Sequence, residues 1–173
     1  MIRKRTRRAL LILLAVIIIG FFVPQKLIIP VAGASKSSYH PQSFWYYPWG
    51  KSVTHKGVDI FAKEGTDVVS ATNGLVISCG QLSMGGNIVI VLGPKWRCHY
   101  YAHLKTITTS TFSIAHKNEK IGEVGSTGNA AGKPPHLHYD IVSLFPYFWK
   151  VDGAKQGWKK MFYLNPIGYF EGN

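Results

Sequence analysis

Five side chains in this sequence have the types and spacing for metal-assisted chemistry. His55 and Asp59 form an H-x-x-x-D pair within HKGVD. His136 and His138 form H-x-H within PPHLHYD, and His103 ends an apolar run in YYAHL. Catalytic zinc needs three neutral or anionic protein ligands and one open position for water. His55, Asp59 and one member of the H-x-H pair meet that need. His103 and the other member are then the candidates to move protons and to stabilise a developing oxyanion. Each pattern alone is common by chance; what carries weight is their combination on one exported β scaffold.

Such a group must be held by strands. Gly57 and the β-branched Val58 argue against a helix between His55 and Asp59, so a turn leading into a strand must bring the two together. Residues two apart on a strand face the same side, which puts His136 and His138 on one surface. Short β-type runs recur, with turn residues between them, at Val58–Phe61, Asp67–Ala71, Gly74–Ser78, Asn87–Leu92, Arg97–Leu104, Ile121–Val124 and Leu137–Val142. Asn73-Gly74 is a hairpin signal. Beyond the N-terminus no stretch sustains a helical period. The expected fold class is all-β, a compact antiparallel sheet or sandwich of about 120 residues, within the usual range for one core. Ahead of it come one N-terminal hydrophobic helix and an aromatic linker over 35–50 containing SFWYYPW. Docking on the domain is the default reading of that cluster. Cys79 and Cys98 are expected to form a strand-to-strand staple if the domain lies outside the cytosol.

The N-terminus supplies the reason to place it there. Met1 to Arg8 carry five basic residues and no acid, and Ala9 to Val23 are fifteen residues without a charge. A basic start before an apolar run reads as an export signal. Its length lies between a cleaved signal core and a spanning helix, and Ala32-Gly33-Ala34 offers a cleavage pattern. Segment 1–34 is therefore read as a signal-anchor or signal peptide. The whole chain has 20 Lys and Arg against 8 acids in 173 residues; from Ser35 onward, 14 face 8. Hydrophobic residues at 46% and charged residues at 16% exclude a disordered polar chain. Outside the export signal no dense basic cluster exists, so nucleic acid is not the expected partner. The expected partners are the membrane, through the N-terminal segment, and an anionic wall polymer.

HKGVDI, GTDVVSATNGLV, GGNIVIVLG, YAHL, IGEVGSTG and PPHLHYDI stand in an order that resembles the lysostaphin-like (LytM-type) zinc metalloendopeptidases. The resemblance covers His55 to Ile141, with Asn165-Pro166 similar to the family's closing N-P. It implies the compact sheet of the duplicated hybrid motif, one zinc held by His55, Asp59 and His138, and His103 and His136 as the catalytic histidines. It also implies peptide cross-links of bacterial peptidoglycan as substrate and the cell envelope as the place of action. The sequence departs from the pattern in three places. Asp140 stands where the family has Glu, two residues after the second histidine of H-x-H. Trp49-Gly50-Lys51 replaces an aromatic-Gly-x-Arg signal. Leu144 to Tyr163 reads as an insertion that borders the substrate groove.

Two other functions share parts of this pattern. A catalytically silent adaptor that regulates wall amidases would typically lack zinc ligands, yet all three positions are filled here. A histidine phosphocarrier needs cytosolic donors, which the export signal argues against. Gly122, Gly125 and Gly128 match no phosphate-binding loop and are read as turn glycines. His99 shares strand parity with His103 and is read as peripheral or buried. His40, His116 and Lys133 are read as solvated.

Overall fold

Alternation decides the two faces of the central strand. In H-L-H-Y-D-I, Leu137, Tyr139 and Ile141 are fully buried in the core, while His136, His138 and Asp140 point the other way. A computed structural model describes residues 4–170 of the chain. Part of the basic stub, Met1, Ile2 and Arg3, lies outside the described residues.

Among the described residues the chain forms one helix, α1 (Lys4–Phe22), and then a nine-stranded antiparallel sheet. The strands are β1 (Val58–Phe61), β2 (Asp67–Val69), β3 (Gly74–Leu82), β4 (Gly86–Gly93), β5 (Arg97–Ile107), β6 (Ile114–Ala115), β7 (Lys120–Val124), β8 (His136–Ser143) and β9 (Tyr163–Leu164), followed by a single turn of helix, α2 (Ile167–Phe170). The main order is β1-β8-β5-β4-β3-β6, with β7 joining β2 to the end of β5 and β9 on β8. The expected antiparallel fold is therefore present, and all seven β runs read from sequence are strands. The two-residue strands β6 and β9 escape sequence reading because two residues carry no period.

The core is built from one face of each strand: Val58, Ile60, Val68, Val76, Val89, Val91, Tyr101 and Leu104 join the buried residues of β8. The Tyr101 hydroxyl, buried with them, accepts a hydrogen bond from Ala71 N at 2.9 Å. Packing starts well before β1. Leu27 and Val31 are buried in this core, Ala32 N donates to Asp67 O, and Val31 bridges Val68.

The two cysteines are free thiols rather than a staple. They lie on β3 and β5, which flank β4 on opposite sides. Two strand spacings come to about 9–10 Å, beyond the roughly 7 Å across which a disulfide closes. Register separates them further: Cys79 is level with Val89 and Tyr101, whereas Cys98 pairs with Leu92.

The expected membrane span is also not supported, since no helix of the described residues is long and apolar enough to cross a membrane. The nineteen residues of α1 begin with a basic turn. Its apolar part, Ala9 to Phe22, reaches about 21 Å at 1.5 Å per residue, against about 30 Å of hydrocarbon. The helix meets the sheet domain through Trp96, whose indole N–H donates to Ile17 O at 2.9 Å, and through an edge contact between Phe21 and Phe145.

Candidate metal centre

β1 and β8 pair with Asp59 opposite His138. That register brings a carboxylate and an imidazole together on the face turned away from the core. His55 arrives from the turn before β1, anchored by two backbone hydrogen bonds, Trp45 N to His55 O and His55 N to Tyr46 O. His55 Nε2 lies 3.0 Å from Asp59 Oδ1 and 3.1 Å from His138 Nδ1, and His138 Nδ1 lies 2.7 Å from Asp59 Oδ1.

The outer partners show which atoms are acceptors. His55 Nδ1 donates to the Ser43 carbonyl at 2.9 Å, which in the neutral ring leaves a lone pair on Nε2. His138 Nε2 faces Asp140 Oδ1 at 3.2 Å. That contact is an ion pair and not an aligned hydrogen bond, since Asp140 Oδ1 has no such partner. A carboxylate behind a ring nitrogen keeps the proton on that nitrogen and turns the other toward a metal. Two imidazole lone pairs and a carboxylate oxygen thus converge at a spacing close to the edge of a zinc tetrahedron, about 3.3 Å for ligands at 2.0–2.1 Å. Three acceptors at such range repel unless a cation or a proton lies between them. The residues present therefore fit a divalent ion of the zinc type, and among the described residues these three form the group able to hold one.

In the metal-free protein a proton takes that role. Burial opposes charge on His138, but attraction to the Asp140 carboxylate and the close contact with Asp59 override it and raise its pKa well above the usual imidazole range. Burial likewise opposes ionisation of Asp59, and hydrogen bonds to His138 and His55 still hold it well below the usual carboxylate range. The raised His138 pKa contributes stability that is complete below the unfolded value of about 6.5 and fades as pH rises through the folded one. The depressed Asp59 pKa contributes above about 3.9, and that share is lost as pH falls through the folded value. A metal ion must displace the His138 proton, so zinc binding is expected to strengthen by about tenfold per pH unit through neutrality. Calorimetry in buffers of different ionisation enthalpy should find close to one proton released per zinc near pH 7. An affinity that is flat between about pH 6 and 8 contradicts a protonated His138.

His103 reaches this face by a different route. Parity along β5 puts residues 99 and 101 in the core and 100 and 102 over the site, so regular alternation would bury 103. Between Asn87↔Leu104 and Val89↔Tyr101 the register slips, leaving one residue of β4 opposite Ala102 and His103. His103 sits in this bulge with φ +66°, a left-handed conformation that turns its side chain onto the site. Its Nδ1 donates to the Thr127 carbonyl at 2.9 Å, as His136 Nδ1 does to the Pro134 carbonyl at 2.8 Å. Each ring thus has Nε2 as its uncommitted atom. The His103 ring centre lies 5.1 Å from that of His136 and 5.9 Å from that of His138. Burial and the nearby charges of His138 and His136 hold the His103 pKa down at about 4, so it is neutral at pH 7. His99 stays behind in the core. It accepts from Gln25 Nε2 and donates to the Tyr139 hydroxyl, with a pKa held down at about 3 by burial and Arg97. All five residues singled out from the sequence line one cavity of about 630 Å³.

Other residues of the cavity were not legible as functional. Trp49 stacks on His55 at 4.2 Å, so the aromatic segment both docks and forms a wall. Gly57 is required by close approach: a Cβ there would lie 2.2 Å from Asp140 Oδ1 and 2.4 Å from Tyr139 O. Gln156, Lys159 and Tyr163 enter from the segment after β8. A bordering role for 144–163 was expected, but no spacing rule selects those three side chains.

An antiparallel sheet presenting this cluster places the chain among the metallopeptidases. More narrowly, it belongs to peptidase family M23, whose model matches residues 53–147. The chain is 35% identical over 115 residues to the L-Ala–D-Glu endopeptidase of Bacillus subtilis, a match covering 61% of this chain and 35% of that protein. It is 30% identical over 93 residues to the peptidoglycan DD-endopeptidase ShyC of Vibrio cholerae, covering 54% of this chain and 21% of that one. The chain thus spans about a third or less of the length of these two relatives. The catalytic domain of lysostaphin from Staphylococcus simulans shares the fold, with a TM-score of 0.61 at 23% identity, over 75% of this chain and 89% of that one.

Proposed function

We propose that the chain is a zinc-dependent endopeptidase that hydrolyses peptide bonds of bacterial peptidoglycan, with His55, Asp59 and His138 holding one zinc ion and His103 and His136 moving protons. The observation that carries this reading is the meeting of three lone-pair donors beneath two further imidazoles whose Nε2 atoms are uncommitted. When bound, zinc supplies Lewis acidity, which makes water a nucleophile near neutral pH. His103 Nε2, neutral at that pH, accepts the proton of the attacking water. His136 Nε2, 3.9 Å from Asp59 Oδ2, lies beside the ligand set; in the doubly protonated ring its N–H would steady the oxyanion and pass that proton to the leaving amine. The Thr127 carbonyl fixes His103 in the tautomer whose Nε2 accepts, and the Pro134 carbonyl holds His136 by Nδ1, so that Nε2 is the atom through which it exchanges a proton.

The substrate class follows the family and the names of its relatives, and it sets the place of action outside the cytoplasm. The basic-then-apolar N-terminus supports export and retention at the membrane surface. A silent adaptor is the rival, and the complete ligand set speaks against it. Zinc content of the full chain, measured with fragment release from purified peptidoglycan, tests the reading. About one zinc per chain with new amino termini released is expected; zinc without release favours the adaptor.

A further inference from the structure

The cavity carries more positive charge than the metal site explains. Four lysines line it, Lys51, Lys56, Lys133 and Lys159, against two acids, Asp59 and Asp140. Both acids are already engaged with His138. At one end, Lys56 donates to the carbonyls of Ser52 and Thr54 at 2.8 and 3.2 Å. An ammonium has three donors, so one N–H of Lys56 remains. Lys159 is near enough for its charge to act on Lys56. Among the described residues neither lysine has a carboxylate partner, whereas the adjacent Lys160 is paired with Asp152. Gln156 completes the group. Its Oε1 accepts from the buried Thr54 hydroxyl at 3.1 Å, which leaves its amide N–H bonds unused.

Local structure fixes these donors. Gln156 adopts φ +57° at the start of a single 3-10 turn, Gly157–Met161. The Asp152 carboxylate holds that loop by accepting from Ala154 N and Lys160. A Cβ at Gly157 would strike Asp152 O at 2.2 Å. The loop is thus closed on itself, with Gln156 and Lys159 set toward the metal site.

We propose that Lys56, Gln156 and Lys159 form a subsite for a free carboxylate of the substrate peptide, and that this subsite selects acidic over amidated stem peptides. The proposal rests on the endopeptidase reading and adds the substrate's charge to it. Asp140, the carboxylate whose charge reaches Lys56, is already engaged with His138, so three donor groups with N–H bonds to spare match a further carboxylate, which only accepts. A carboxamide offers one acceptor and brings N–H groups against two ammoniums. Two of the three residues lie beyond residue 147, outside the span matched by the family model, so the preference goes beyond what that match carries.

The test uses the full chain and two synthetic peptides, both blocked as the amide at the C-terminal L-Lys: γ-linked L-Ala–D-Glu–L-Lys and its counterpart with the D-Glu α-carboxylate converted to a carboxamide. Binding is read by tryptophan fluorescence, and hydrolysis is followed in parallel. The free acid should bind about tenfold more tightly, as one or two charge-assisted hydrogen bonds allow. Lys159→Gln should erase most of that difference, and Lys159→Glu should reverse it, with zinc content unchanged in both. Equal binding of the two peptides by the unaltered chain overturns the subsite, as does an equal loss on both peptides in Lys159→Gln. Hydrolysis separates the two readings. Cleavage without acid selectivity defeats the subsite alone; selective binding without cleavage of peptide or peptidoglycan defeats the endopeptidase.

Discussion

Asp59→Ala is expected to leave the chain without zinc and without hydrolytic activity. The carboxylate is the only anion in the ligand set, and its Oδ1 touches both imidazole nitrogens, at 3.0 and 2.7 Å. Without it, two imidazoles would have to hold a dication in a pocket whose nearest remaining negative charge, Asp140, lies behind His138. Loss of an outer partner costs about 10–100-fold in metal affinity, and loss of a direct ligand must cost more. Turnover should fall to background, because the Lewis acid leaves with the ion. Asp59→Asn keeps the shape and removes the charge, so it should lose zinc and also melt below the parent near neutral pH, because the pairing of the carboxylate with His138 is lost. Metal analysis after dialysis decides the matter. One tightly held zinc per chain in Asp59→Ala would mean that the ion sits elsewhere.

The strands and the faces of β8 were legible because their signals are local. Apolar runs bounded by Gly, Pro and Asn become strands, and H-x-H places both rings on one side whatever the rest of the chain does. The meeting of His55 with Asp59 was legible in part. Gly57 rules out a helix, but the reason for glycine lies 80 residues away, where the β8 backbone and Asp140 leave no room for a Cβ. His99 is buried, as read; the strand parity it shares with His103 is broken at a bulge, since parity holds only while the register does. The expected cysteine staple failed because strand order is a property of topology: a third strand separates two that looked adjacent. The docking of Trp49 on His55 and the entry of Gln156 and Lys159 were hidden for the same reason. Both segments bend back on the site through tertiary contacts, Ser43 O to His55 and Thr54 to Gln156, that leave no periodic trace.

His103→Ala and His136→Ala are expected to keep zinc and lose turnover. Neither ring belongs to the converging trio, and each is held from outside by a carbonyl, so its removal leaves the three ligand contacts unchanged. A positioned acid or base contributes about 10²–10⁴-fold, and kcat should drop by that range while zinc stays near one per chain. The two variants should not behave alike in stability. His103 occupies a left-handed position in a bulge, where any L residue bears a backbone cost of about 1 kcal/mol, so alanine keeps that strain while losing the ring's hydrogen bond to Thr127. His103→Gly relieves that strain and isolates the chemical effect: it should melt closer to the parent than His103→Ala while remaining as inactive. His136 lies in a regular strand, so there His136→Ala is the milder substitution and His136→Gly the harsher. If His103→Gly recovers activity along with stability, His103 acts through the bulge it occupies and carries no proton. The double variant sharpens the assignment. Rings that serve one proton path fail together, so His103→Ala with His136→Ala should be little slower than the worse single variant, and a fully additive loss would assign them to separate steps.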